Sequence, residues 1–327
     1  MALIEPELAP GSPAAPFIAF STDGIAVRSS RGRVLGHSPS GPVFRYAATC
    51  FDPASGATAR RILIARTLRR SHGHVAFDVM KQLWAGGFGR EGGSFYTMPE
   101  PVAHLPSLNL LVEGRPGGKP LALYLDDPGS AQMLARLSAR WLSRFHRTPL
   151  VGVPPWDIEA DLDRMAGEAG ALAEHRPELE ERFTVLARRL AVGILAVGAG
   201  GPVATHGAFR PENVHVGRDR VSVGDFGGVA MGHPARDLAQ FVAASLAASY
   251  VRSQSFLPVD TWNCAFIQEY VGLEGPDCLP VLPLLIARDL LAHLRLSLAR
   301  DKVIPSAAAE AFLEECGRWL DVANITP

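Results

Sequence analysis

Two hydrophobic rhythms divide the chain. Between residues ~17 and 113, short β-branched and aromatic runs such as Val43-Phe44-Arg45-Tyr46 and Ile62-Leu63-Ile64 alternate with Gly/Pro/Ser turns, a pattern that predicts strands. One stretch breaks this rhythm: Phe77, Met80, Leu83 and Trp84 recur at helical spacing before Gly86-Gly87, which predicts an amphipathic helix ended by glycine. A strand over Leu108–Val112 follows, and then Glu113-Gly114-Arg115-Pro116-Gly117-Gly118 forms a turn-rich crossing where a domain boundary is expected. Beyond it the period lengthens. Leu134, Leu137, Trp141 and Phe145 share one helical face. Similar periodicity over Leu172–Val197, Leu238–Tyr250, Trp262–Val271, Leu282–Ala299 and Ala307–Val322 predicts core-facing helices. The expected organisation is α+β: a Pro- and Ala-rich segment over residues 1–16 expected to be mobile, a small β-rich lobe over 17–113, and a mainly helical lobe over 114–327.

Composition narrows the function classes. With 327 residues, 32 Lys+Arg against 33 Asp+Glu and a net charge of -1, the chain is long enough for two subdomains and offers no electrostatic footprint for nucleic acid. Cys50, Cys264, Cys278 and Cys316 form no C-x-x-C pair, so neither a disulfide framework nor a structural zinc site is expected, and a reducing, cytoplasmic setting fits. The first arginine is Arg28, so no charged region precedes an apolar stretch as in a secretory leader. The longest apolar run, residues 190–204, is interrupted by Gly and Pro and is too short to span a bilayer. Only three lysines occur, Lys81, Lys119 and Lys302, which matters below.

The candidate chemistry lies in His206-Gly207-Ala208-Phe209-Arg210-Pro211-Glu212-Asn213, the triplets Val214–Val216 and Val221–Val223 around a polar turn, and Asp225-Phe226-Gly227. The triplets predict a short hairpin. Their pairing brings Asn213 beside Gly224, so that an amide oxygen and the Asp225 carboxylate can share a hard cation such as Mg2+, which keeps waters or phosphates in its other positions.

This stretch resembles the catalytic segment of the aminoglycoside phosphotransferase and choline kinase superfamily, relatives of the protein kinases. There the order is H-G-D-x-x-x-x-N, a hairpin, D-F-G, and G-x-P-x-x-D-L-A. Here His206-Gly207-Ala208 leads to Asn213, Asp225-Phe226-Gly227 follows, and Gly232-His233-Pro234-Ala235-Arg236-Asp237-Leu238-Ala239 comes after it. The resemblance implies a two-lobed protein-kinase-like fold, with Mg2+ and ATP or another nucleotide as cofactors. It makes Asn213 and Asp225 the metal ligands, the backbone of Val112, Glu113, Gly114 and Arg115 the hinge receiving the base, and His206 and Asp237 structural members of the loop and the following helix start.

Two departures bear on activity. The family's aspartate, which orients the attacking hydroxyl and accepts its proton, is replaced by Ala208. Losing a positioned base costs roughly 10²–10⁴ in rate, about 3–5 kcal/mol. The family's strand lysine is also missing, and Arg66 stands in its place, a planar fork instead of a point charge. Asp78 is the nearest candidate for the helix carboxylate that pairs with it, and Gly36-His37-Ser38-Pro39-Ser40-Gly41 the nearest candidate for a phosphate loop.

Ala208 is either a natural loss or an introduced replacement of aspartate, and the second missing group favours natural degeneration. The expectation is a pseudokinase that binds Mg-nucleotide, transfers phosphate poorly, and acts with a partner enzyme or peptide. The alternatives are an active phosphotransferase on a small-molecule or peptide hydroxyl and a nucleotide-free scaffold. The acidic run Asp157 to Asp163 is the sole hint of a cationic substrate, and an acidic first helical turn is its plainer meaning. His72 and His74 lack a third metal ligand nearby in the sequence.

Overall fold

The computed structural model describes residues 18–22, 25–38, 41–52, 54–68, 72–89, 94–125, 127, 129–197, 203–301 and 304–324; the segment over residues 1–16 lies outside them. In chain order the elements are β1 (Phe20–Ser21), β2 (Ala26–Ser38), β3 (Gly41–Phe51), β4 (Thr58–Thr67), α1 (Gly73–Leu83), β5 (Tyr96–Thr97), β6 (Pro101–Leu105), β7 (Leu110–Gly114) and β8 (Lys119–Pro120). They continue with α2 (Ala131–His146), α3 (Ile158–His175), α4 (Glu180–Val197), β9 (Val203–Thr205), β10 (Val214–Val216), β11 (Val221–Val223) and β12 (Ala230–Gly232). The helices α5 (Ala235–Ser253), α6 (Asp260–Glu274), α7 (Leu282–Asp301) and α8 (Ser306–Val322) complete the chain.

The chain divides into two compact units. The first runs through Gly118 and takes in Leu150–Gly152 and Gly217–Gly228; the second holds Lys119–Pro149, Val153–Val216 and everything from Val229 onward. The sequence suggested a single crossing after Glu113. The segment around Asp225 is counted instead with the first unit, where β11 pairs in parallel with β5, Val221 opposite Tyr96.

The first unit is built on an antiparallel sheet in the order β1-β2-β3-β4-β7-β6. On β3, Phe44, Tyr46, Ala48 and Cys50 point to one face and join Leu63 and Ala65 of β4 in a buried cluster with Val102, Leu110 and Val112, the period-two arrangement a pleated strand imposes. Arg66 lies on the opposite face from Ala65. The helix expected over Phe77 to Trp84 begins earlier, at Gly73, and buries Ala76, Val79, Met80 and Leu83. It widens into one π-helical turn over Trp84–Phe88, where Gly87 adopts φ +95°, a left-handed conformation glycine reaches without steric cost.

In the second unit, α5 is buried around most of its circumference, from Leu238 to Tyr250. Its Phe241 ring stacks on Phe266 of α6 at 3.9 Å between centroids, and Trp262 and Phe209 extend the stack. Such aromatic contacts add about 0.5–1.5 kcal/mol each beyond area burial. The helix expected over Leu172–Val197 is two helices. Arg176, at φ -134°, leaves the helical region, and Pro177 opens a short 3-10 turn before α4, because proline cannot continue a helix but suits its first turn. The strand β9 pairs antiparallel with β12, Thr205 opposite Ala230, and so fixes the point from which the His206 loop departs.

Candidate functional site

In the first unit, the antiparallel register of β4 and β7 sets Ile64 opposite Glu113. Arg66, two residues from Ile64, therefore shares a sheet face with Glu113. Arg66 Nε donates to Glu113 Oε1 at 2.9 Å, and Nη1 lies 3.8 Å from Asp225 Oδ2. Asp225 holds φ +73° just before the fully buried Phe226; a non-glycine residue there costs of order 1–3 kcal/mol and persists only where its surroundings enforce it. Burial would depress the Arg66 pKa, but the carboxylates of Asp225 and Glu113 outweigh it and hold the guanidinium charged.

Glu113 is completely buried, and its Oε2 has no hydrogen-bond partner among the described residues. Desolvation pushes its pKa up, with Arg66 pulling the other way. The sequence reading treated Glu113 as hinge backbone and missed its carboxylate. Asp78 is not the partner of Arg66: it is exposed and pairs with Lys81 at 2.8 Å, one helical turn away. Of the other hinge residues, Val112 packs in the sheet core, while the N–H groups of Gly114 and Arg115 donate to Glu100 O at 2.8 Å and Ile62 O at 3.2 Å. Two backbone donors proposed for a base are thus engaged within the unit.

In the second unit, Asp237 organises the loop from the first turn of α5. Fully buried, it accepts the N–H of His206 at 2.7 Å, the N–H of Gly207 at 2.8 Å and His146 Nε2 at 2.9 Å. Burial alone would raise its pKa, but the His146 bond and charge, the neighbouring His206 and the backbone donors together bring it below the ordinary carboxylate value. His146 is oriented in turn by Tyr270 Oη, 2.6 Å from Nδ1.

The His206 ring is enclosed by Trp141, Phe145 and Phe209, and its Nδ1 accepts the Ala208 N–H at 3.3 Å. Gln240 brackets the loop, accepting from Phe209 N and donating to Gly207 O, both at 3.0 Å. Asn213 Nδ2 donates to Ala208 O at 2.9 Å. The loop is therefore wired at both ends around a position that carries only a methyl group. The structure groups Asp225 with Arg66 and Glu113, and Asn213 with Ala208 and His206; the two groups belong to different units.

The remaining sequence candidates fall elsewhere. Asp157 caps α3 by accepting Ala160 N at 2.9 Å, and Asp161 is buried in contact with Arg288 and Arg164, so these two acids of the run serve helix capping and internal ion pairs, while Glu159 and Asp163 are exposed. Gly36 and Gly41 flank the connection between β2 and β3, of which Pro39 and Ser40 lie outside the described residues. Among the described residues no group of three His, Cys, Asp or Glu side chains is placed to hold a metal ion. In the first unit, the hard carboxylate oxygens of Asp225 suit Mg2+ chemically, and an ion held by few protein ligands draws the rest from water and phosphate. When bound, Mg2+ supplies charge neutralisation for nucleotide phosphates. No described helix is long and apolar enough to cross a membrane.

Taken whole, the fold is that of the protein-kinase-like phosphotransferases. It resembles a choline/ethanolamine kinase family protein from Mesorhizobium loti, with a TM-score of 0.57 and 16% identity, covering 90% of this chain and 89% of that one. It also resembles a choline kinase from Cryptosporidium parvum Iowa II, at 0.56 and 12%, covering 90% and 88%. A third similar structure is an ADP-bound aminoglycoside phosphotransferase, APH(2'')-Ib, at 0.50 and 12%, covering 89% and 92%. A search of the curated proteins found no match. Residues 63–270 match the phosphotransferase enzyme family, and the chain belongs to it.

Proposed function

We propose that this protein binds Mg-nucleotide, transfers phosphate poorly, and works through a partner enzyme or peptide. The observation that carries the reading is Ala208, a methyl group in a loop whose supporting bonds to Asp237, Gln240 and Asn213 are all made. A methyl group neither accepts a proton nor orients a hydroxyl. A loop kept in this form without its base suits binding better than turnover. In the first unit, Arg66 and Asp225 supply a fixed positive group and a carboxylate of the kinds that phosphates and Mg2+ require; Asn213 enters on the resemblance of its loop. That one similar structure is ADP-bound fits this reading.

A thermal-shift titration with ATP and other nucleotides, with and without Mg2+, tests it. A ligand at ~100 times its Kd adds about 2.7 kcal/mol of stability, so a Mg2+-dependent rise in Tm that Asp225→Ala abolishes is expected. No shift with any nucleotide leaves a scaffold. The second reading, an active kinase, is favoured by the placement of Arg66 beside Asp225, 3.8 Å from Nη1 to Oδ2, because phosphoryl transfer depends chiefly on positioning and charge. Ala208→Asp separates the two: on the binding reading it leaves ATP turnover low, whereas a rise of two or more decades, the worth of roughly one general base, overturns it.

A further inference from the structure

Beside the loop, the second unit holds a cation with no carboxylate in ion-pair contact among the described residues. Arg236 sits in the first turn of α5, between the helix cap and Asp237, where the helix dipole disfavours positive charge. Its guanidinium lies over the Trp156 ring, 4.8 Å from the centroid, and Nη1 donates to Thr205 Oγ1. The Thr205 hydroxyl is itself committed, donating to Ala230 O at 2.8 Å. Trp156 is fixed by its backbone N–H, which donates to Met231 O at 2.8 Å. The close approach of Gly232 shapes the same corner, since a Cβ there would meet Arg236 Cδ at 3.2 Å.

What remains is the Nε/Nη2 edge, the parallel pair of donors that grips oxyanions bidentately. Neither atom makes a hydrogen bond among the described residues, and the residue is half-buried, not enclosed. No described carboxylate lies within ion-pair distance of Arg236. Asp161 and Asp289, the acids on the neighbouring helices, are both bound to Arg288. Asp237 is engaged by the loop N–H groups and His146. Burial pushes the Arg236 pKa down to about 10, with the Arg288 charge adding to the fall against Asp237 and Asp289, as expected of a cation short of counter-charge.

We propose that Arg236, backed by Trp156 and Thr205, is a subsite for the carboxylate or phosphate group of a small anionic acceptor or regulator. A cation at this point favours an anionic group over an ammonium group. The proposal shares with the functional reading only the identity of the adjacent loop, and the anion site stands whether or not nucleotide binds.

The test uses the full chain in nucleotide-free, Mg2+-free buffer at constant ionic strength, titrated by calorimetry and thermal shift with malonate, inorganic phosphate and choline chloride. Malonate or phosphate is expected to bind and raise Tm, the stronger of the two naming the carboxylate or phosphate source, while choline does nothing. Arg236→Gln should weaken binding about tenfold or more, the loss of one bidentate charged contact, and Arg66→Met should not. Arg236→Lys, which keeps the charge without the fork, should fall between them; it carries the test if circular dichroism shows the glutamine variant misfolded. Equal anion binding by wild type and either Arg236 variant overturns the proposal, as does no response of wild type to either anion or loss of the response in Arg66→Met. A nucleotide shift retained in Arg236→Gln keeps the two readings separable.

Discussion

Glu113 and Asp237 are both carboxylates removed entirely from water, one in each unit, and they titrate in opposite directions. Asp237 receives two backbone N–H groups and an imidazole, so its charged form is better solvated by the protein than by water. Glu113 receives Arg66 Nε on one oxygen and, among the described residues, nothing on the other, so desolvation prevails. Burial is common to both; the number of donors decides the sign. The contrast also separates two ways of holding a buried charge: Asp237 is held by the backbone of a loop, Glu113 by one arginine of the neighbouring strand.

The largest effect should come from removing Asp237. Asp237→Ala strands two loop N–H groups and His146, and a loss of about 3–5 kcal/mol in urea-denaturation stability is expected, as for other broken buried pairs; a loss under 1 kcal/mol would dissolve the contrast. Glu113→Gln should cost less, about 1–3 kcal/mol at neutral pH, because one of its oxygens contributes no bond, and Arg66→Met combined with Glu113→Met should recover most of that loss.

The pH dependence is subtler and has two signs. Glu113 has a raised folded pKa, so its favourable contribution is full below the ordinary glutamate value of about 4.3 and is lost as pH rises through the folded value. Asp237 has a lowered one, so its contribution is present above the ordinary aspartate value of about 3.9 and is lost as pH falls through the folded value. Stability differences between wild type and Glu113→Gln measured from pH 4 to 9 should therefore shrink with rising pH. The smallest effect is Asp78→Ala, which breaks an exposed pair and should change stability by less than about 0.5 kcal/mol; a larger loss would return Asp78 to the site.

Much of the fold was legible from periodicity. The face carrying Leu134, Trp141 and Phe145 is buried in α2, and the spacing from His206 to Asp237 identified the loop and its helix. The break at Arg176 was legible in principle, since Pro177 announces it. The role of Glu113 was not. Its strand, Leu110–Gly114, is buried on both faces and so shows no alternation to say which side a residue occupies, and its partner lies 47 positions away, brought close only by sheet register. Arg236 was hidden differently: an arginine at a helix start looks like surface charge until Trp156 and Thr205 are seen around it.

Trp141 gives the loop a light of its own. The indole is wholly buried, stacked between Phe145 and Phe209, with its ring 6.1 Å from that of His206. Its emission belongs to a dry aromatic cage, so any opening that lets water reach His206 must redden that part of the fluorescence, and loosening of the loop becomes visible before the molecule as a whole has melted.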